Sequence, residues 1–309
     1  MDIAKLFNAF PGAISQGIIW GIMAIGVYIT FRILDVSDLT VDGSMATGGA
    51  VAAMLITAGY NAWFALLVAF LVGMLCGLVT GIFHTTMGIP AILAGILTQL
   101  ALYSINLRIM DGKANTAVNV NKFHVLVTSR NVRVLSFSNP IVFSVLVTAV
   151  LILILCFFFR TEYGCALRAT GANGAMARAQ GINTNIAKVF GLMLANGIVA
   201  FAGALLAQYQ GFADVQMARG AIVIGLAAVI IGEVVFGKLL HTFSGKLICV
   251  SLGAVIYYLV MQIVLWLGLN TNDLKMLTAL VVAVFLAVPH WKSKAFSRMA
   301  AQKGVLEDA

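Results

Sequence analysis

The first candidate for chemistry in this chain is a polar stretch that leads directly into an apolar one. The segment from Asp35 to Gly49, DVSDLTVDGSMATGG, carries three carboxylates and several hydroxyls. Two interpretations fit this pattern. Either a solvated loop ends where Asp42 or Ser44 caps the next helix, or a membrane helix is broken here and its polar N-terminus lines a solute pathway. Such an N-terminus favours a solute carboxylate, although the carboxylate of Asp42 would oppose it.

Further polar residues lie inside long apolar runs, where a charge is costly unless it faces the interior of a bundle or a helix end. Glu233 is such a carboxylate, with Lys238 as its candidate partner. Glu233 is either a structural charge at a helix end or a residue of the pathway. The amide side chains in other apolar runs either form hydrogen bonds across helices or line the pathway. The candidate pathway residues are Asp42, Ser44, Gln99, Asn106, Asn196 and Glu233.

Neither the cysteines nor the histidines indicate a metal site or a catalytic centre. The four cysteines have no CxxC spacing, and the four histidines form no HExxH pair. Gly237-Lys238 and Gly245-Lys246 lack the other residues of a phosphate-binding loop. We therefore expect no metal, no cofactor and no ATP hydrolysis in this chain. The basic residues are scattered between apolar runs, so we expect no nucleic-acid partner.

The composition is that of a protein with many membrane spans. Hydrophobic residues make up 61% and charged residues 10% of the chain, with a mean hydropathy of +1.03, whereas soluble domains average roughly 25% charged residues. We predict an all-α transmembrane bundle of about 8–10 spans in one domain, residues 1–309. The candidate spans are Pro11–Phe31, Gly43–Ala58, Ala62–Phe83, Ile89–Leu107, Asn139–Phe159, Ile186–Leu206, Ala218–Phe236, Leu247–Leu267 and Leu274–Val288.

The basic loops predict the orientation of these spans. Arg160–Lys188, Lys238–Lys246 and Trp291–Lys303 share one side by parity, and all three are net basic, which is typical of cytoplasmic loops. Parity then places the N-terminus and the long loop Arg108–Ser138 outside. That loop is also basic, so it conflicts with the rule, and we expect it to fold as a small external cap.

Glycines recur at a spacing of four residues in two predicted spans. They are Gly17 and Gly21 in the first run, and Gly73, Gly77 and Gly81 in the third. Seams of this kind let two helices approach closely. We predict that they pack helices within the bundle rather than form a seam between two copies of the chain.

A charged segment with many small residues separates two long apolar runs. It reads TEYGCALRATGANGAMARAQGIN and extends from Thr161 to Asn183. Its apolar residues fall at helical spacing, which predicts a short amphipathic helix outside the membrane with a face for docking. Thr170 or Asn173 would cap the start of that helix. The apolar face comprises Ala172, Ala175, Met176, Ala179 and Ile182, and the opposite face carries Asn173, Arg178 and Gln180.

This segment resembles the cytoplasmic coupling loop of bacterial ABC importer permeases of the branched-chain amino acid and ribose class. Within the class the chain looks closest to permeases for tryptophan or tyrosine uptake, mainly through GLAAVIIGEVVFGK. Sugar and branched-chain members usually have paired glycines at Ile231-Gly232-Glu233. The matching residues are Gly164, Arg168-Ala169, Ala179, Gly181-Ile182-Asn183, Phe190, Ala202-Gly203-Ala204, Gln208 and Gly220–Gly237, with a weaker match over Gly17–Asp42.

The resemblance implies a type II importer fold, no enzymatic activity in this subunit, and alternating access driven by partners. Those partners are two ATPase subunits that bind ATP and magnesium, an external solute-binding protein, and a second permease copy as a homodimer in the bacterial inner membrane. The coupling loop spans residues 161–188. The implied coupling residues are Gly171, Ala172, Asn173, Ala175, Met176, Arg178, Ala179 and Gly181.

The resemblance favours an aromatic amino acid as the solute. Permeases for branched-chain amino acids, nucleosides or sugars in the same class are the alternative. An ATP-independent carrier or channel is a further alternative, but a carrier of this size should show inverted repeats and paired broken helices. A membrane enzyme is the weakest alternative, because no nucleophile–base or metal constellation is present.

Overall fold

The computed structural model describes residues 3–120, 122–132, 139–237, 240, 242–266, 276, 279–280, 282–284 and 287, with side chains from residue 8 onward. A π-helical turn covers Ile29–Ile33, and a 3-10 turn covers Ser129–Asn131. Two three-residue strands are β1, Asn115–Ala117, and β2, Phe212–Asp214. The helices are α1 Ile3–Tyr28, α2 Val41–Thr57, α3 Ala62–Thr85, α4 Ala91–Ile109, α5 Pro140–Phe158, α6 Glu162–Ala172, α7 Gly174–Ala179, α8 Thr184–Gln210, α9 Ala221–Phe236 and α10 Phe243–Trp266.

The described part of the chain confirms an all-α membrane bundle. Six helices have the length and apolarity to cross a bilayer, and two shorter apolar helices, α2 and α9, accompany them. Seven of these eight helices agree with a predicted span to within four residues at each end, whereas α1 begins eight residues before the predicted start at Pro11. The ninth predicted span, Leu274–Val288, lies largely outside the described residues, as does the basic loop Trp291–Lys303.

Helix α8 forms the centre of the bundle. It packs against α1, α2 and α3, while α1 also packs against α10. In their most apolar stretches, 83% of α1 and 72% of α8 are buried, against 22% of α5 at the periphery. The apolar faces that remain exposed on α3, α4 and α5 suit contact with lipid.

The glycine seams join helices inside the bundle, as predicted. A Cβ at Gly77 on α3 would overlap the carbonyl of Leu192 on α8, so the two backbones touch here. In the same way a Cβ at Gly17 on α1 would lie 2.8 Å from Cα of Val255 on α10. Close backbone approach of this kind requires small residues at the contact.

The two ends of the bundle differ in structure. At one end, here called the strand end, β1 pairs antiparallel with β2 with Asn115 opposite Asp214. The Tyr209 hydroxyl donates to the Gly12 carbonyl at 3.3 Å, so the start of α1 also lies at this end. The other end, called the basic end, carries α6, α7 and Lys246. The predicted sidedness is consistent with this arrangement, since the start of α1 and the strand β1 of the long loop lie opposite the 161–188 segment.

Candidate functional site

The polar stretch at residues 35–49 begins with a true break between helices. The helical chain ends in the π-helical turn at Ile29–Ile33, residue Asp35 adopts a positive φ of 55°, and α2 begins at Val41. Helix α2 has 17 residues and is about 25 Å long, which is shorter than the roughly 30 Å of a bilayer core. Helix α9 has 16 residues and is equally short. Short, interrupted helices are the usual framework of a transport pathway.

Asn196 connects this break to the central helix. Its Nδ2 donates to Oδ2 of Asp38 at 2.6 Å and to the carbonyl of Leu192 at 3.0 Å. The hydroxyl of Ser44 donates to Oδ1 of Asn196 at 2.7 Å. All three side chains are buried. The structure therefore brings together two predicted pathway residues, Ser44 and Asn196, and adds Asp38, which the sequence analysis did not single out.

Three buried threonines extend these contacts to α3 and α4. The hydroxyls of Thr40 and Thr80 lie 2.7 Å apart, and Thr80 donates to Oγ1 of Thr98 at 2.9 Å. The backbone N–H of Thr40 donates to Oδ1 of Asp38 at 2.9 Å. Threonine in an apolar helix commonly bonds to its own helix, as Thr98 does to the carbonyl of Ala94, so the sequence gives no signal for this role. The polar cluster consists of Asp38, Thr40, Ser44, Thr80, Thr98 and Asn196.

Asp42 caps a helix, but not the one that follows it. Its carboxylate accepts from the backbone N–H of Gly220 at 2.8 Å and of Ile222 at 3.0 Å. The prediction that Asp42 or Ser44 caps α2 is therefore wrong, because Asp42 reaches the N-terminus of α9 and Ser44 bonds to Asn196. The negative charge of Asp42 stabilises the partial positive charge of that terminus. The two short helices are thereby joined at their starts.

Two predicted pathway residues do not join the polar cluster. Gln99 is half-buried on α4, where its backbone lies beside Gly43 of α2. Asn106 is buried about two turns further along α4, and neither atom of its amide has a hydrogen-bond partner among the described residues. The burial of Asn106 agrees with a position inside the bundle.

Glu233 pairs with an arginine that the sequence analysis did not identify. Arg32 donates from Nε to Oε1 of Glu233 at 3.1 Å and from Nη2 to Oε2 at 2.6 Å. The two side chains are 53% and 27% exposed, so the pair lies at the surface of the basic end. The predicted partner, Lys238, lies outside the described residues. The ion pair links the end of α1 to the end of α9, which favours the structural interpretation of Glu233.

The 161–188 segment forms two helices where the sequence predicted one. Residue Asn173 is extended, with φ of −158°, and ends α6. Its Oδ1 accepts from the backbone N–H of Ala175 at 3.1 Å and of Met176 at 3.0 Å, which confirms it as the cap of α7. Ala172, Ala175, Met176 and Ala179 are all exposed, and the Met176 side chain is 63% exposed.

The remaining predicted coupling residues have structural contacts. Nη1 of Arg178 donates to Oγ1 of Thr184 at 3.3 Å and so ties α7 to the start of α8. Gly181 is exposed and has a positive φ of 83°, which turns the chain into α8. Gly171 faces inward, because a Cβ there would overlap the carbonyl of Ile33. It therefore anchors the segment to α1 and is not part of the exposed face.

A cavity of about 730 Å³ opens between α1, α9 and α10 at the strand end. The Tyr257 hydroxyl is buried and has no partner among the described residues. The rings of Tyr257 and Tyr258 meet edge to face, with centroids 5.6 Å apart. The sequence analysis did not single out these two tyrosines, because α10 reads as a largely uniform apolar run. The polar and aromatic lining residues are Gln16, Tyr209, Arg219, Tyr257, Tyr258 and Gln262.

Comparison with known proteins identifies the class of this bundle. A profile of the family described as "Branched-chain amino acid transport system / permease component" matches residues 11–289. The chain belongs to this permease family. It is therefore a multi-pass membrane permease of the ATP-binding cassette type, and a transport subunit rather than an enzyme.

Individual relatives agree with this assignment. The "Tyrosine transport system permease protein" of Clostridioides difficile (strain R20291) is 39% identical over 88% of each chain. The "Autoinducer 2 import system permease protein LsrC" of Yersinia pestis (strain Pestoides F) is 30% identical over 75% of this chain and 63% of that one. Among solved structures, a chain of "PsaBC from Streptococcus pneumoniae in complex with Fab" aligns with a TM-score of 0.42 and 16% identity, covering 84% of this permease and 95% of that chain.

Proposed function

We propose that this permease imports an aromatic amino acid, tyrosine or tryptophan, across the bacterial inner membrane. The observation that carries the proposal is the 39% identity with a tyrosine transport permease over 88% of both chains. The cavity at the strand end supports it, since tyrosine rings line an apolar pocket that also presents the guanidinium of Arg219 and two amides. Apolar pockets with a few converging polar groups are typical solute sites.

We propose that the permease works as a homodimer with two ATPase subunits and an external solute-binding protein. The exposed face of α7, with Ala175, Met176 and Ala179, is the docking surface for an ATPase. Because Gly171 packs on Ile33, a movement of α6 displaces the end of α1. We expect the ATPase subunits to bind the ATP and magnesium.

The pathway follows the two short helices. Asp42 joins the starts of α2 and α9 inside the bundle, and the Arg32–Glu233 pair joins the ends of α1 and α9 at the basic end. A displacement of the 161–188 segment therefore moves α9 relative to α2. Alternation between an inward-open and an outward-open pathway follows from such a relative movement of helices around a fixed site.

A competition assay tests the choice of solute. Radiolabelled tyrosine uptake is measured in cells that lack other aromatic amino acid importers and express this permease with its ATPase and binding protein. We expect unlabelled tyrosine or tryptophan to compete, and leucine, ribose and autoinducer 2 to leave uptake unchanged. Competition by leucine or ribose alone would assign the permease to the other solutes of its class.

A further inference from the structure

A second, smaller cavity lies at the basic end, next to the 161–188 segment. It has a volume of about 270 Å³ and opens between the π-helical turn after α1, the end of α6 and the start of α10. Three cationic side chains from these three elements line it: Arg32, Arg168 and Lys246. We call it the basic cavity. Neither the pathway nor the docking face of α7 makes use of it.

The positive charge of the basic cavity is only partly neutralised. Arg32 is paired with Glu233, which leaves Arg168 and Lys246 without an ion-pair partner among the described residues. The guanidinium of Arg168 lies 5.5 Å from the centroid of the Phe243 ring. Stacking on an aromatic ring limits the freedom of an arginine, so its donors are oriented in advance. The basic cavity therefore contains two positive charges without a neutralising partner, and the N–H donors of Arg168 are already oriented.

We propose that the basic cavity binds a phosphate group. Several oxygens on one phosphorus atom can accept from Arg168 and Lys246 together, and charge-assisted bonds of this kind are short and strong. The cavity lies between membrane helices at the end that carries the basic loops, where anionic lipid headgroups are abundant. The phosphate is supplied by an anionic phospholipid headgroup or by soluble inorganic phosphate.

A bound phosphate at this position acts on the 161–188 segment. Gly171 and Ala172 line the basic cavity, and Gly171 packs on the carbonyl of Ile33 directly beside it. A phosphate that bridges Arg168 on α6 and Lys246 on α10 therefore holds the segment against the membrane helices. The occupant consequently stabilises one position of α6 relative to α10.

The test compares two charge-matched double variants of the purified full-length chain in neutral detergent. Arg168→Gln with Lys246→Gln removes both free charges of the cavity, whereas Arg178→Gln with Lys188→Gln removes two charges from the same end outside it. Phosphatidylglycerol, phosphatidylcholine and inorganic phosphate are titrated separately, and binding is followed by native mass spectrometry and thermal shift. Lys246→Arg preserves the charge and serves as the conservative variant.

We expect the cavity double variant to lose about tenfold or more in affinity for phosphatidylglycerol, with the control double variant and Lys246→Arg close to the parent chain. Saturable binding of inorganic phosphate with the same loss would assign the site to the soluble ion, and binding of lipid alone would assign it to a headgroup. Equal losses in both double variants would overturn the proposal, since they would indicate a general charge effect. Binding of neither probe, with weaker ATPase association in the cavity variant, would show that an acidic partner side chain occupies the cavity instead.

Discussion

A single buried amide holds together three parts of the chain that are distant in sequence. Asn196 donates to Asp38 in the break and accepts from Ser44 at the start of α2, while it belongs to the central helix α8. A carboxylate inside an apolar bundle requires donors of this kind, because an unsatisfied buried polar group is costly. The position of the break therefore depends on this residue.

Asn196→Ala should destabilise the permease. The substitution removes the amide donor of Asp38 and the side-chain acceptor of Ser44, whose hydroxyl keeps only the carbonyls of Thr40 and Val41. We expect a loss of about 1–3 kcal/mol or more of unfolding free energy. Thermal unfolding in detergent measures the effect. Asn185→Ala is the matched control, because Asn185 is exposed on the same helix. Equal unfolding temperatures for the two variants would contradict the role assigned to Asn196.

The Arg32–Glu233 pair offers a second test at the level of residues. Surface ion pairs contribute about 0–1 kcal/mol, so Glu233→Gln should alter stability little. If the pair transmits movement to α9, Glu233→Arg should lower transport per assembled complex, and Arg32→Glu in the same chain should restore it. Unchanged transport in Glu233→Arg would show that the Arg32–Glu233 ion pair takes no part in transport.

Among the described elements, α7 is a short helix that is exposed along most of its length. It has six residues, its start is capped by Asn173, and its end is tied to α8 through Arg178. Only Ala177 of this helix is buried. A short helix that is fixed at both ends and exposed along its small-residue face has the properties of a docking surface.

Bulky substitutions on this face should uncouple the complex. Ala175→Trp or Ala179→Trp should leave the permease folded, because both positions are exposed, yet abolish transport by overpacking the docked face at a cost of roughly 1–3 kcal/mol or more. Substrate-stimulated ATPase activity and uptake measure the loss. Ala175→Ser keeps the side chain small and should behave like the parent chain. Normal activity in both tryptophan variants would refute the docking assignment.

The sequence predicts the elements better than their contacts. Apolar runs and their breaks locate the spans, and Asn173 is recognisable as a cap from its position before a run of small residues. The pairing of Arg32 with Glu233 could not be anticipated, since the residues are 201 positions apart and no periodicity relates them. The same holds for Asp42, whose carboxylate caps α9 rather than its own helix, because the partner of a cap is decided by how the helices pack.

For the molecule as a whole, the distribution of polar groups bears on where solute selectivity arises. The cavity at the strand end is lined mainly by apolar and aromatic side chains, with few charged or amide groups. Tight capture of a zwitterion requires several converging polar groups, and a pathway must also release what it admits. Selectivity should therefore reside mainly in the external binding protein.

Equilibrium binding to the permease–ATPase complex without its binding protein tests this division of roles. We expect tryptophan and tyrosine to bind more weakly than about 1 μM, which corresponds to a binding free energy of about −8 kcal/mol. Tyr257→Phe should change this weak affinity little. Submicromolar binding of either amino acid would place the selective site in this chain.

We propose that this bundle moves an aromatic amino acid only when ATP hydrolysis drives it through the 161–188 segment. The most direct measurement is tyrosine uptake into proteoliposomes that contain the permease and its ATPase, with the binding protein outside and ATP inside. We predict accumulation that requires hydrolysable ATP and is absent in Ala179→Trp. Tyrosine uptake that proceeds equally without ATP or without the ATPase subunit would contradict the account and identify an autonomous carrier.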